Sequence, residues 1–165
     1  LFESTNKSTN KAGDGSIEGK MKKFQLEKFT VGETFGADEA LMKKVLKKLK
    51  QKDKKKQKHH IVFCPITSRV GSDVVAALDT VKEHQSIILV LMHHTRDSDY
   101  STAGTSWSET TINVDLDVHV LFHETLPGLL TCSQNDKAVG QIVDFLKEKK
   151  KQNKKQNKKK KGKIH

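Results

Sequence analysis

Residues 86–95 read SIILVLMHHT, and this stretch decides the fold. A strand with one wet face alternates apolar and polar side chains. Residues 87–92 do not alternate, so the run is expected to be buried on both faces, in the middle of a parallel sheet. Outward from it lie weaker strand signals. HHIVFCPI at 59–66 is β-branched and aromatic, and Pro65 marks its end. VDLDVHVLFHE at 114–124 puts Leu116, Val118, Val120 and Phe122 on one side. FQLEKFTV at 24–31 reads as a first strand, and LPGLLTC at 126–132 as a short edge strand.

Helical stripes separate these runs. Leu41, Met42, Val45, Leu46 and Leu49 fall on one face, behind the first-turn acids Asp38 and Glu39. Val74, Ala77, Leu78 and Val81 form a second stripe, with Ser72 as the expected N-cap. Val139, Ile142, Val143 and Leu146 form a third, behind a Ser133/Asp136 capping box. Strands alternating with helices predict an α/β fold. The expected architecture is a small flavodoxin-like (Rossmann-like) three-layer sandwich with a mainly parallel sheet of four to five strands. Its crossovers are expected to be right-handed. The expected division is a disordered segment at 1–20, an α/β domain at 21–149 and a disordered polylysine tail at 150–165. The chain begins at Leu1 rather than Met, as a fragment or a processed chain would. No apolar run approaches the roughly 20 residues that span a bilayer, and the polar start is unlike a secretory leader.

Charge is distributed unevenly. From residue 43 to 58 there are ten Lys and one Asp, and from 147 onward eleven Lys and one Glu. These segments carry +9 and +10 of a net +11, so the rest of the chain is at −8. Both follow helices, whereas PITSRVGSD, HHTRDSDYSTAG and HETLPG follow strands. In a parallel α/β sheet the two kinds of loop gather at opposite edges, and ligands bind where the strands exit. The basic edge comprises Lys54, Lys55, Lys56, Lys58, Lys150, Lys151, Lys154, Lys155, Lys158, Lys159, Lys160 and Lys161. It suits nucleic acid, through counterion release, or an anionic membrane. The tail lacks aromatics and arginine, so base reading is not expected. Its simplest alternative is a solubilising tail. Two cysteines without a C-x-x-C pair suit an intracellular, cytoplasmic or nuclear chain with free thiols.

At the strand exits, Thr67, Ser68, Arg69, Gly71 and Ser72 have the composition of an anion-binding turn at a helix N-terminus. They equally suit an ordinary strand-to-helix turn. Cys64 and Arg69 have four residues between them and Val70 after. A cysteine-dependent phosphatase loop has five, with Ser or Thr following. Pro65 also removes a backbone donor, so Cys64 is read as structural. His94, Thr95 and Glu124 are further ligand candidates. His119 and His123 would be about 13 Å apart along one strand, too far to share a metal. His94, His123 and Glu124 could meet across neighbouring strand ends. No ligand spacing such as H-E-x-x-H is present, so loop-orienting hydrogen bonds are expected instead. No metal and no cofactor is assigned. None of Asp97, Asp99, Glu109, Asp115 and Asp117 stands out as an acid or base. Tyr100 and Trp107 are expected to pin the long 96–113 loop.

Three stretches taken together, FCPITSRVGSDVVAAL, LVLMHHT and VHVLFHETLPGLLTCSQNDKAV, with TVGETFG upstream, resemble a family of uncharacterised vertebrate proteins. The resemblance covers about residues 24–146 and implies a flavodoxin-like or TIR-like domain with no catalytic residues to carry over. The function expected is a non-enzymatic α/β module. It would bind a small anionic ligand or protein partner at the strand exits and an anionic partner at the basic edge. The alternative is an enzyme acting on nucleotides or phosphate esters, with Arg69 holding phosphate.

Overall fold

The computed structural model describes residues 16–53 and 57–162, with side chains through residue 147 apart from Gln51. Expectations for residues 1–15, Lys54, Lys55, Lys56 and the side chains of 150–161 lie outside the described residues. Four strands, β1 (Leu26–Thr30), β2 (His59–Ile66), β3 (Ile87–His94) and β4 (Val114–Phe122), form one sheet in the order β1-β2-β3-β4. Every pairing is parallel. The fold is therefore the expected α/β sandwich with its apolar run as an inner strand. Residues 87–92 of β3 are all buried.

The pleat divides each strand between two cores. Ile61 and Phe63 of β2 and Ile88, Val90 and Met92 of β3 face one layer. That layer is built from α1 (Ile17–Lys23), α2 (Ala37–Lys48) and the first part of α5 (Ser133–Gly162). Val62, Cys64, Leu89 and Leu91 face the other layer, built from α3 (Val70–Asp79) and Trp107 of the short α4 (Trp107–Thr110). No helix among the described residues is long and apolar enough to cross a membrane.

Several local expectations change. Residues 16–20 are not disordered: Ser16 caps α1, accepting from the Gly19 N–H at 3.0 Å. Met21 and Phe24 are buried there, apolar positions that the surrounding lysines hide in the sequence. Ser72 is not an N-cap, because α3 begins at Val70 with Arg69 in the cap position. Ser133 already lies inside α5, and the Asp136 N–H donates to the Cys132 carbonyl. Residues 126–132 contribute only a single antiparallel bridge, Leu129 to Phe122. The backbone of α5 is described as far as Gly162.

The crossovers also differ from expectation. The strand order is sequential, yet α2 covers one face and α3 the other. Moving in one direction across the sheet with helices on opposite faces requires opposite hands. One of the connections β1–α2–β2 and β2–α3–β3 is therefore left-handed, against the usual preference.

β4 is an edge strand, and α5 covers its exit end. Asn135, 1% exposed, acts there as a substitute strand. Its Oδ1 accepts from the Leu121 N–H at 2.7 Å, and its Nδ2 donates to the carbonyls of Leu121 and Leu130 at 2.9 and 2.7 Å. Asn135→Ala leaves a buried N–H without its acceptor, which costs about 1–3 kcal/mol. Urea unfolding is expected to show that loss as a lower midpoint; an unchanged midpoint would contradict the bridging role.

Candidate functional site

All four strands exit at one edge, and the direction in which each chain leaves creates its crevices. After β1 the chain turns to the α2 face, and after β2 to the α3 face. After β3 it reaches α4 on the α3 face, and after β4 it enters α5 on the opposite one. Neighbouring connections that diverge to opposite faces leave a gap at the strand ends, where ligands of open α/β sheets bind. There are two such divergences, at β1/β2 and at β3/β4.

The candidates Thr67, Ser68, Arg69, Gly71 and Ser72 follow β2. The two backbone donors of the turn are already taken. Asp73 reaches back from α3, and its Oδ2 accepts from the N–H groups of Thr67 and Ser68, both at 2.9 Å. The Ser68 hydroxyl donates to Oδ1 at 3.2 Å. These donors, the Ser68 N–H foremost, hold the Asp73 carboxyl below its ordinary value. The chain's own carboxylate thus stands where an exogenous anion would. Gly71 and Ser72 lie in the first turn of α3, and Arg69 is exposed beside them. Cys64 points into the α3 core and donates its thiol to the Asp73 carbonyl at 3.4 Å. Burial, with Asp73 adding, pushes that thiol up to about 12, the opposite of what a nucleophile needs.

Two other connections are closed the same way. Asp38 at the start of α2 accepts from Lys28 Nζ at 2.8 Å and from the hydroxyl of Thr34 at 2.7 Å. Burial would raise its carboxyl, but Lys28 and Thr34 outweigh it and the net shift is downward. Asp117 on β4 accepts from the N–H groups of Trp107 and Ser108 at 3.1 and 3.2 Å, fixing α4. Sequence gave no means of separating Asp117 from the other acids. Tyr100 rests on His93 with ring centroids 5.7 Å apart, and Trp107 packs on the α3 core. Both aromatics pin the long loop, as expected. Thr102 ties it to Gln134 of α5 at 3.3 Å.

The β3/β4 divergence gathers two imidazoles and a carboxylate at the surface, His94 and Glu124 exposed and His123 half-buried. His94 ends β3, and His123 and Glu124 follow β4 directly. Register places His94 beside Phe122, and the Thr95 N–H donates to the Phe122 carbonyl at 2.9 Å. The His94 and His123 rings stack with centroids 4.6 Å apart and 15° between planes. His94 Nε2 bonds Glu124 Oε2, and this bond foremost lowers the Glu124 carboxyl. His123 Nδ1 is held by the Thr125 hydroxyl at 2.8 Å. One ligand atom from each of His94, His123 and Glu124 lies within 4.8 Å of the others. The trio that the sequence reading treats as loop-orienting groups is thus hydrogen-bonded and also compact enough to meet one ion.

His119 does not join this trio. It stacks on His93 on the other face of the sheet, with Nε2 of His93 and Nδ1 of His119 2.9 Å apart. Burial foremost, with His119 adding, pushes His93 down to about 4. No hydrogen bond or ion pair among the described residues joins Arg69 to His94 or Glu124. A surface groove of about 940 Å³ runs along α1, β1 and α2 and contains none of the exit-edge candidates. Its lining mixes Glu18, Glu27 and Glu39 with Lys22, Lys28 and Lys43.

At the opposite edge, Lys43, Lys44, Lys47 and Lys48 are exposed along α2, and Lys50, Lys52 and Lys58 lie at its foot. Lys58 pairs with Glu27 at 2.7 Å. The contact of His59, the first residue of β2, with Phe145 shows where α5 passes this edge. The fifteen further residues of its backbone, 148–162, correspond to about 22 Å of helix.

Two measurements follow. Asp73→Ala removes the turn's internal acceptor and is expected to cost about 1 kcal/mol at pH 7. A carboxyl with a depressed folded value stabilises above its unfolded value near 3.9 and loses that contribution as pH falls through the folded value. The difference between wild type and variant is therefore expected to shrink below about pH 4; a constant difference would point to packing instead. Alkylation of the folded chain at pH 8 is expected to modify the partly exposed Cys132 and spare Cys64; modification of Cys64 at an equal rate would contradict the raised thiol.

No protein-family model matches this chain, and no curated protein and no solved structure matches it either.

Proposed function

We propose that this chain is a non-enzymatic α/β module that docks on nucleic acid, without reading its sequence, through the lysine-rich edge. The observation that carries this reading is the convergence of α2 and α5 at the strand-entry edge. Exposed Lys43, Lys44, Lys47 and Lys48 lie there, and the α5 backbone runs on through the lysine run to Gly162. A helix so charged neutralises successive phosphates and releases their counterions. Residues 148–162 include no apolar side chain. A helix that lies in a membrane interface needs an apolar face, so phosphate backbone is favoured over lipid. Such a partner belongs to the cytoplasm or nucleus. The absence of arginine and aromatics in the run supports contact with phosphates alone.

The enzyme alternative has less support. That alternative would hold phosphate with exposed Arg69 and the α3 terminus, beside a turn whose Thr67 and Ser68 N–H groups Asp73 already takes. It also gains nothing from Cys64, whose thiol is buried and raised.

Binding to a short RNA duplex is expected to fall roughly 10³-fold or more between 50 and 200 mM salt if six or more phosphates are neutralised. Replacing Lys154, Lys155, Lys158, Lys159, Lys160 and Lys161 with Gln is expected to abolish most of the affinity and flatten the salt slope. Equal affinity for duplexes of different sequence is expected. Salt-insensitive binding, retention of affinity in the variant, or a preference for phosphatidylserine vesicles over RNA would overturn the reading.

A further inference from the structure

We infer that His94, His123 and Glu124 form a binding site for a single first-row divalent transition-metal ion of the Zn²⁺ type. Three observations converge on it. The trio sits at a divergence of connections, where an α/β sheet leaves room for a ligand. Its donors come from rigid points: His94 is the last residue of β3, and His123 and Glu124 follow the last residue of β4, the two strands being paired to that point. Finally, the ligand atoms already lie within 4.8 Å of one another.

The donor set selects the ion. Two imidazole nitrogens and one carboxylate oxygen suit Zn²⁺ and its neighbours, whereas Mg²⁺ and Ca²⁺ take mostly oxygen. Bonds of about 2.0–2.2 Å would draw the three ligands closer than they now stand. The required shift is small, and His94 and Glu124 are free to make it, with side chains 41% and 42% exposed. Binding exchanges one bond for several. The ion displaces the hydrogen bond between His94 Nε2 and Glu124 Oε2, and the neutral imidazole then carries its one proton on Nδ1. Ligation through Nε2 puts the His123 proton on Nδ1, where the Thr125 hydroxyl 2.8 Å away accepts it in place of the Thr125 N–H that now donates there at 3.2 Å. Three protein ligands on an exposed edge leave a coordination position for water or for a donor from a partner.

The other connections do not compete. Asp73, Asp38 and Asp117 are each engaged by backbone or lysine donors. The remaining imidazole pair near the surface, His60 and His84, stacks at 4.4 Å at the strand-entry edge.

The test is isothermal titration of the full, chelator-stripped chain with ZnCl₂. Saturable binding of one equivalent is expected, and His94→Ala and Glu124→Gln are each expected to weaken it at least about 10-fold. His84→Ala is expected to leave it unchanged. Co²⁺ in place of Zn²⁺ is expected to give visible absorption that both ligand variants lose. Absence of saturable binding would overturn the inference. So would binding that survives both ligand variants, or binding that His84→Ala removes. Circular dichroism of the two exposed-site variants separates lost ligation from lost folding.

Discussion

The parallel pairing of β3 with β2 as far as His93 and with β4 as far as His94 is the constraint on which the rest depends. It aligns all four exits at one edge and all four entries at the other. It also fixes the pleat. A slip of one residue would exchange the faces of every side chain on β3. The adjacent histidines show what that would mean. His93 turns toward the α3 face, is buried against His119 and is held neutral. His94 turns to the other face, stays exposed and meets His123 and Glu124. Two identical residues thus have opposite chemistry because the ladder on both sides permits only one register.

The negative charge of the body has a structural use. Asp38, Asp73 and Asp117 satisfy donors that turns and helix starts would otherwise present to solvent. Acids placed there gain from the positive helix ends as well. At the exit edge Asp38 and Asp73 tie down the connections after β1 and β2, and the β3/β4 gap brings His94, His123 and Glu124 together. The lysines are held at the other edge, where α2 and α5 end and the helix dipoles favour cations. The separation lets a polyanion approach one edge without meeting the acids of the other.

Much of this was legible in the sequence. The run at 87–92 marked an inner strand because nothing in it could face water, and β2 covers the run at 59–66, pairing on through Pro65 to Ile66 where the sequence reading ends it at Pro65. Helical stripes placed α2, α3 and α5 on the core, and the alternation of elements implied the two edges. The misses have physical causes. α1 was hidden because Met21 and Phe24 are lone apolar residues among lysines, and burial by α2 and β1, not local pattern, makes them a helix. Ser72 had the right chemistry for a cap, but the longer reach of Asp73 closed the turn earlier. The hands of the crossovers depend on which face each helix chooses, which periodicity does not encode. The His94–His123–Glu124 trio has no spacing signature, since strand pairing alone brings residues 94 and 123 together.

The most direct test of two edges with separate roles is an amide chemical-shift map of the full chain during titration with a short RNA duplex. The account predicts shifts along residues 43–58 and from 147 onward, with Thr67, Ser68, His94 and Glu124 unmoved. Shifts centred on those four residues, with the lysine segments unmoved, would contradict it.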